Sequence, residues 1–179
     1  MAGCVKKLKH AMFLVGEFGA NDYSNALFQG EHLEEVDYYV TVIPGPGTVN
    51  LVVSGILPLG CLPSYLTMFH HDVPMSYDSK KCLRSFNTFV MLHNDHLQQA
   101  LAELSRIPSC SNSLCQLLQG FEKSSLTKAC CGTGGIYNFD ATKGVAVCSD
   151  LIKYVHWDGN HLTKEAYIHM VEGFISGNF

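Results

Sequence analysis

An aspartate stands three residues ahead of a histidine in Asp158-Gly159-Asn160-His161. A carboxylate at that spacing can orient an imidazole and stabilise its protonated form. His161 would then serve as a general base, since imidazole ordinarily titrates close to neutral pH. A second segment, Gly19-Ala20-Asn21-Asp22, follows a short apolar run. In parallel α/β sheets, ligands bind beyond the carboxyl ends of strands. An asparagine amide placed there can donate a hydrogen bond to a developing oxyanion, and a fixed backbone N–H can add another. Each segment also has a plain reading: a turn using Gly and Asn for unusual dihedrals, and a helix-entry turn with a surface histidine.

The surrounding elements must hold these groups. Ala11–Val15 and Val49–Ser54 are short apolar runs ended by Gly16 and Gly55, and they read as buried strands of a parallel sheet. Glu31–Tyr39 reads as a short helix, and Pro44-Gly45-Pro46-Gly47 breaks any regular element after it. Asp78–Arg106 reads as a long helix. Cys82, Phe86, Phe89, Val90, His93, Leu97, Leu101 and Leu104 recur along it at three- and four-residue spacing. Asp78 or Ser79 would cap its start, and Pro108 lies beyond its end. Ser109–Cys148 is loop-rich, with Gly132-Thr133-Gly134-Gly135 at its middle. Thr163–Ile175 reads as a closing helix capped by Thr163, with Ala166, His169, Met170 and Phe174 on one stripe. Strand, loop and amphipathic helix in alternation point to an α/β fold. Two strands fall short of the roughly 4–6 usual in a sheet.

Composition sets the outer bounds. The 179 residues carry 12 basic and 16 acidic side chains, a formal net charge of -4. That balance argues against a nucleic-acid partner. Hydrophobic residues make up 47% and charged residues 16%, which excludes a disordered chain. No apolar run approaches the roughly 20 residues of a transmembrane helix. Eight cysteines without a CxxC pair suit an oxidising compartment better than a zinc ribbon. Yet the apolar run after Lys6, Lys7 and Lys9 stops at Gly16, short of the roughly 7–15 residues of a signal-peptide core.

Taken together, four segments resemble the plant GDSL esterases/lipases of the SGNH hydrolase superfamily. Val15–Tyr23 is similar to the family's Gly-x-Asn-Asp segment, and Leu57-Pro58-Leu59-Gly60-Cys61-Leu62-Pro63-Ser64-Tyr65 to a loop after a later strand. Ala129–Asn138 is similar to its Cys-Cys-Gly segment, and Tyr154–Thr163 to its C-terminal Asp-x-x-His block. They occur in the family's order and cover almost the whole chain. The resemblance implies a flavodoxin-like, three-layer α/β fold and hydrolysis of carboxylic esters through an acyl-enzyme. It implies a small-molecule ester or acyl substrate, no metal, no organic cofactor, and secretion. It assigns Asn21 to the oxyanion hole, His161 to the base and Asp158 to its orienting partner. Gly19 would permit close backbone packing, and Asp22 would accept a loop-stabilising hydrogen bond.

The chain also departs from the family. No Gly-Asp-Ser nucleophile motif occurs in it; Asp78-Ser79 follows Tyr77. The expectation is a single, partial domain over residues 1–179 that lacks the N-terminal nucleophile strand. Further losses are expected at Val40–Val49 and between Pro108 and Cys130. Such a chain would hydrolyse esters weakly or not at all, or would survive as a non-catalytic ligand-binding relic of the same fold. Its localisation is unknown as it stands, and exposed sheet edges would invite self-association. Cys61 follows a strand and a glycine and could replace the nucleophile. The competing reading is a disulfide to Cys82, with a second from Cys148 to Cys130 or Cys131, so Cys61, Cys82, Cys131 and Cys148 are candidate disulfide cysteines. Cys4, Cys110 and Cys115 have no assignment. Ser24 and Ser54 lie near strand ends without a nucleophile-elbow motif. His93 with His96, and His70-His71-Asp72, are incomplete as zinc sites. Gly132–Gly135 lacks the Lys-Ser/Thr of a phosphate loop.

Overall fold

The computed structural model describes residues 12–17, 19–36, 50–104, 121–139 and 146–176. They fall into two compact units. The first comprises described residues up to Leu57 and from Phe89 onward in the long helix; the second comprises Pro58–Thr88 and the described residues after 120. The expectations for residues 40–49, for most of 108–122 and for Cys4, Cys110 and Cys115 lie outside the described residues.

In the first unit, strand β1 (Met12–Val15) pairs in parallel with β2 (Asn50–Val53). The register runs from Met12 against Asn50 to Val15 against Val53. Helix α1 (Ala20–Phe28) follows β1 and opens at Gly19, whose φ of 84° is the left-handed region where a Cβ is penalised. The Gly-Ala-Asn-Asp segment is therefore a helix start rather than a free turn. Tyr23 and Leu27, four apart, supply its buried face. Tyr23 meets Phe89 edge-on with centroids 4.8 Å apart, and its hydroxyl pairs with His93 Nδ1 at 2.8 Å. The short helix α2 spans Leu33–Val36 within the expected Glu31–Tyr39.

Asn94 locks the chain just after β2. The Ile56 N–H donates to its Oδ1 at 2.8 Å, and its Nδ2 donates to the Ile56 carbonyl at 3.0 Å. Both residues are buried. Asn94→Ala would leave a buried N–H and a buried C=O unpaired, at about 1–3 kcal/mol each when nothing replaces the bond. We expect a loss of about 2 kcal/mol or more in urea unfolding and faster amide exchange at Ile56. Unchanged exchange there would contradict the account.

The second unit begins with the 3₁₀ turn Leu59–Cys61 and helix α3 (Pro63–Met68), which has proline at its first position. A disulfide joins Cys61 to Cys82. The Leu83 N–H donates to the Gly60 carbonyl at 2.8 Å, and the Gly60 N–H donates to Asn87 Oδ1 at 3.0 Å. A Cβ on Gly60 would lie 2.2 Å from the Leu83 carbonyl oxygen, so only glycine fits this close approach.

The long helix α4 (Arg84–Leu104) starts six residues after Asp78, not at it. Asp78 Oδ1 accepts the N–H groups of Lys80 and Cys82 at 2.8 and 2.9 Å, closing a local turn. Lys81 has φ 69° and Tyr77 bridges Leu83 antiparallel, both incompatible with a helix there. The expected caps at Asp78 and Ser79 thus give way to a disulfide-closed turn. The helix carries Phe89, Val90, His93 and Asn94 into the first unit's core, while Phe86 packs against Tyr65 and Phe69 in the second.

Strands β3 (Cys131–Gly132) and β4 (Ala146–Val147) form a short antiparallel pair. A second disulfide joins Cys130 to Cys148. Cys131 is the unbonded cysteine among the described residues, which corrects its candidacy. The reason is pairing geometry. Cys131 stands opposite Val147, while the Cys148 N–H donates to the Cys130 carbonyl at 2.8 Å and brings the two α-carbons to 4.8 Å. Helix α5 (Lys164–Ser176) closes the described chain. Thr163 caps it as expected: the Ala166 N–H donates to its Oγ1 at 3.2 Å. Ala166 is buried, His169 and Met170 are half-buried, and the Phe174 side chain lies outside the described residues. No helix among the described residues is long and apolar enough to cross a membrane. Parallel strands, helices and loops of this kind are an α/β fold.

Candidate active site

The Asp158–His161 turn sits between two tethers. His156 bridges Ala129 in parallel and Leu162 antiparallel, so the turn is a loop closed at its base. The Cys130 N–H donates to the His156 carbonyl at 2.9 Å, and the Cys131 N–H to that of Trp157 at 2.6 Å. On the other side, the Thr163 hydroxyl donates to the Tyr154 carbonyl at 2.7 Å.

Within the loop, Asp158 organises both backbone and ring. Its Oδ1 accepts the N–H groups of Asn160 and His161 at 2.8 and 2.7 Å. His161 Nδ1 lies 2.8 Å from Oδ2 and 3.0 Å from Oδ1. Partial burial works to raise the Asp158 pKa. The Asn160 and His161 N–H groups and the His161 ring outweigh it and hold the carboxyl below its ordinary value. Asp158 therefore stays ionised at neutral pH and fixes the hydrogen of His161 on Nδ1. The Nε2 lone pair is left to accept a proton, on a side chain that is 69% exposed.

Gly159 shapes the same loop. A Cβ there would fall 2.3 Å from the Phe139 ring, so the ring packs directly on the loop backbone. The Ser64 N–H donates to the Gly159 carbonyl at 3.1 Å, and the Ser64 hydroxyl donates to Asn160 Oδ1. Ser64 carried no signal in the sequence, because it stands 96 residues from Asn160.

Of the expected site residues, Asp158 and His161 are in direct contact. Asn21 is exposed in the first turn of α1, just past β1, in the first unit, whereas the pair belongs to the second. Asp22 also lies in that turn, where a carboxylate favours the helix start. Cys61 is bound to Cys82, which removes it as a thiolate nucleophile. Ser24 donates to the Ala20 carbonyl inside α1. His70 Nδ1 lies near the hydroxyls of Tyr137 and Tyr77, at 3.3 and 3.2 Å. Burial, then the Tyr77 hydroxyl, pushes the Tyr137 pKa up to about 12. The Gly134 N–H is taken by Asn138 Oδ1 at 3.0 Å, so the glycine-rich segment is a self-bonded loop.

An oriented aspartate–histidine pair of this kind has the geometry of a general base with its orienting carboxylate. Residues 5–174 match the family model of the GDSL-like lipase/acylhydrolases, and the chain belongs to that family. A GDSL esterase/lipase of Arabidopsis thaliana is 40% identical, over 89% of this chain and 58% of the relative. A second from the same plant is 35% identical, over 98% of this chain and 52% of the relative. Acetylajmalan esterase 1 of Rauvolfia serpentina is 34% identical, over 96% and 52% respectively. The chain thus spans a little over half the length of these relatives. No solved structure matches it.

Proposed function

We propose that this chain carries the base half of a carboxylic ester hydrolase. His161 takes the proton from a serine nucleophile and returns it to the leaving alcohol, and Asp158 orients the ring and stabilises its protonated form. Asn21 donates to the oxyanion of the tetrahedral intermediate. The observation that carries this reading is the contact of His161 Nδ1 with both Asp158 oxygens. Family membership supports a small-molecule ester substrate, a secreted setting, and an SGNH domain of flavodoxin-like, three-layer build. The two disulfides suit an oxidising compartment.

The 179 residues contain no Gly-Asp-Ser, the motif that carries the family's nucleophile, and we propose that this polypeptide by itself lacks the serine that His161 would activate. We therefore expect no burst with p-nitrophenyl acetate and no stoichiometric labelling by a serine-directed phosphonate. Fusing in frame the Gly-Asp-Ser segment of a family member should confer activity. His161→Ala should then lower that activity by about 10⁶-fold, the loss typical of removing a triad histidine. Stoichiometric labelling of the unfused chain, or a fused enzyme indifferent to His161, would overturn the proposal. The second reading, a ligand-binding relic, is favoured by the same missing motif. It predicts saturable binding of an ester analogue by the unfused chain with no product released.

A further inference from the structure

We infer that Ser64 is a positioning residue for the Asp158–His161 pair, acting through the two residues between them. The inference rests on the reading of that pair as base and orienting partner. Ser64 is only 2% exposed, yet both of its hydrogen-bond donors leave its own helix. Its N–H donates to the Gly159 carbonyl at 3.1 Å and its hydroxyl to Asn160 Oδ1. A serine at the start of a helix ordinarily serves that helix, and a buried hydroxyl costs stability unless it is bonded. Here the hydroxyl's bond goes to Asn160, an exposed residue of another segment.

The loop needs such an outside hold. Its own bonds are local, running from Asp158 to residues two and three further on. They fix the turn's shape, and the bonds at its base hold His156, Trp157 and Thr163; Ser64 holds its middle, at Gly159 and Asn160. Ser64 is itself firmly set. It lies three residues after the disulfide-bonded Cys61, between the buried Pro63 and Tyr65. From that base it clamps the middle of the loop, where the Phe139 ring also packs on Gly159. The hydroxyl, buried and donated to Asn160, has no role as a nucleophile.

The test is the tautomer of the His161 ring, read from imidazole nitrogen shifts in chain labelled with ¹⁵N-histidine, at a pH where the ring is neutral. In the unaltered chain the form with hydrogen on Nδ1 should dominate. Asp158→Asn should abolish that preference. Ser64→Ala should lower the ratio of Nδ1–H to Nε2–H about threefold to tenfold, with the signals of His93 and His96 unmoved. Asn160→Ala, a change at an exposed residue, removes the same bond and should do likewise. It alone decides the matter if Ser64→Ala does not fold. If Asp158→Asn collapses the preference while Ser64→Ala and Asn160→Ala match the unaltered chain, the positioning role is wrong and the pair stands. If Asp158→Asn also changes nothing, the pair itself is wrong and the inference falls with it.

Discussion

Gly132→Ala is expected to destabilise the second unit by about 4 kcal/mol, at the severe end of single substitutions. A Cβ at Gly132 would lie 1.6 Å from the Asn138 carbonyl oxygen and 2.7 Å from its carbon. Both atoms are backbone, so no side-chain rotation can relieve the overlap, and the loop itself must move. That loop is braced by Asn138, whose Nδ2 donates to the Ala129 carbonyl at 2.8 Å and whose Oδ1 takes the Gly134 N–H. Moving it therefore also disturbs the two bonds that tie Asn138 to Ala129 and Gly134. Two other glycines calibrate the effect. Gly16 has open space around its Cβ position, and alanine there should be nearly neutral. Gly134 also has open space, but its φ of +104° penalises any side chain, so alanine should cost roughly 1 kcal/mol. Urea midpoints should rank Gly16→Ala, Gly134→Ala, Gly132→Ala from least to most destabilised. Equal midpoints for the first and last would refute the steric account.

Acidification should weaken the fold through His156. The side chain is 3% exposed, and its Nε2 donates to the Leu126 carbonyl at 3.0 Å. Nδ1 has no hydrogen-bond partner among the described residues. Burial drives the folded-state pKa down from 6.5 to about 4, although the Leu126 bond and the Asp158 charge both act to raise it. The sign follows from which state binds the proton. Above pH 6.5 the ring is neutral whether the chain is folded or not, and its full contribution is present. As pH falls from 6.5 towards 4, the unfolded chain takes up a proton that the folded chain refuses, so stability drops. At about 1.4 kcal/mol per pH unit, the loss approaches 3 kcal/mol by pH 4. His156→Gln removes the titration while an amide can still donate to Leu126. The difference in unfolding free energy between the two chains should therefore shrink by about 2–3 kcal/mol from pH 7 to pH 4.5. Parallel pH profiles would discard this origin of acid sensitivity.

What was legible in the sequence was chiefly what is local. Asp158 and His161 are three apart, and one short turn brings them together, so spacing alone could suggest the pair. Thr163 and Ala166 form a cap for the same reason. Apolar runs ended by glycine marked β1 and β2, which pair in parallel. Contacts between distant residues left no trace. Gly60 needs to be glycine because of Leu83, Gly159 because of Phe139, and Gly132 because of Asn138. Asp78 looked like a helix cap since carboxylates there usually are; here it closes a turn that the Cys61–Cys82 bond holds in place. The choice between Cys130 and Cys131 turned on strand register, which adjacent cysteines cannot reveal.

The Ser64 clamp has a consequence for the order in which the molecule takes shape. The Asp158 turn closes over two or three residues, and contacts that short form in well under a microsecond with little loop entropy to overcome. Its docking onto Ser64 spans 96 residues and must wait for long-range search. The Asp158–His161 turn can thus close early, and its docking onto Ser64 comes later. Single-residue insertions between Asp158 and His161 would ruin it at the first stage. Changes at Ser64 would spare the turn and fail only at the second.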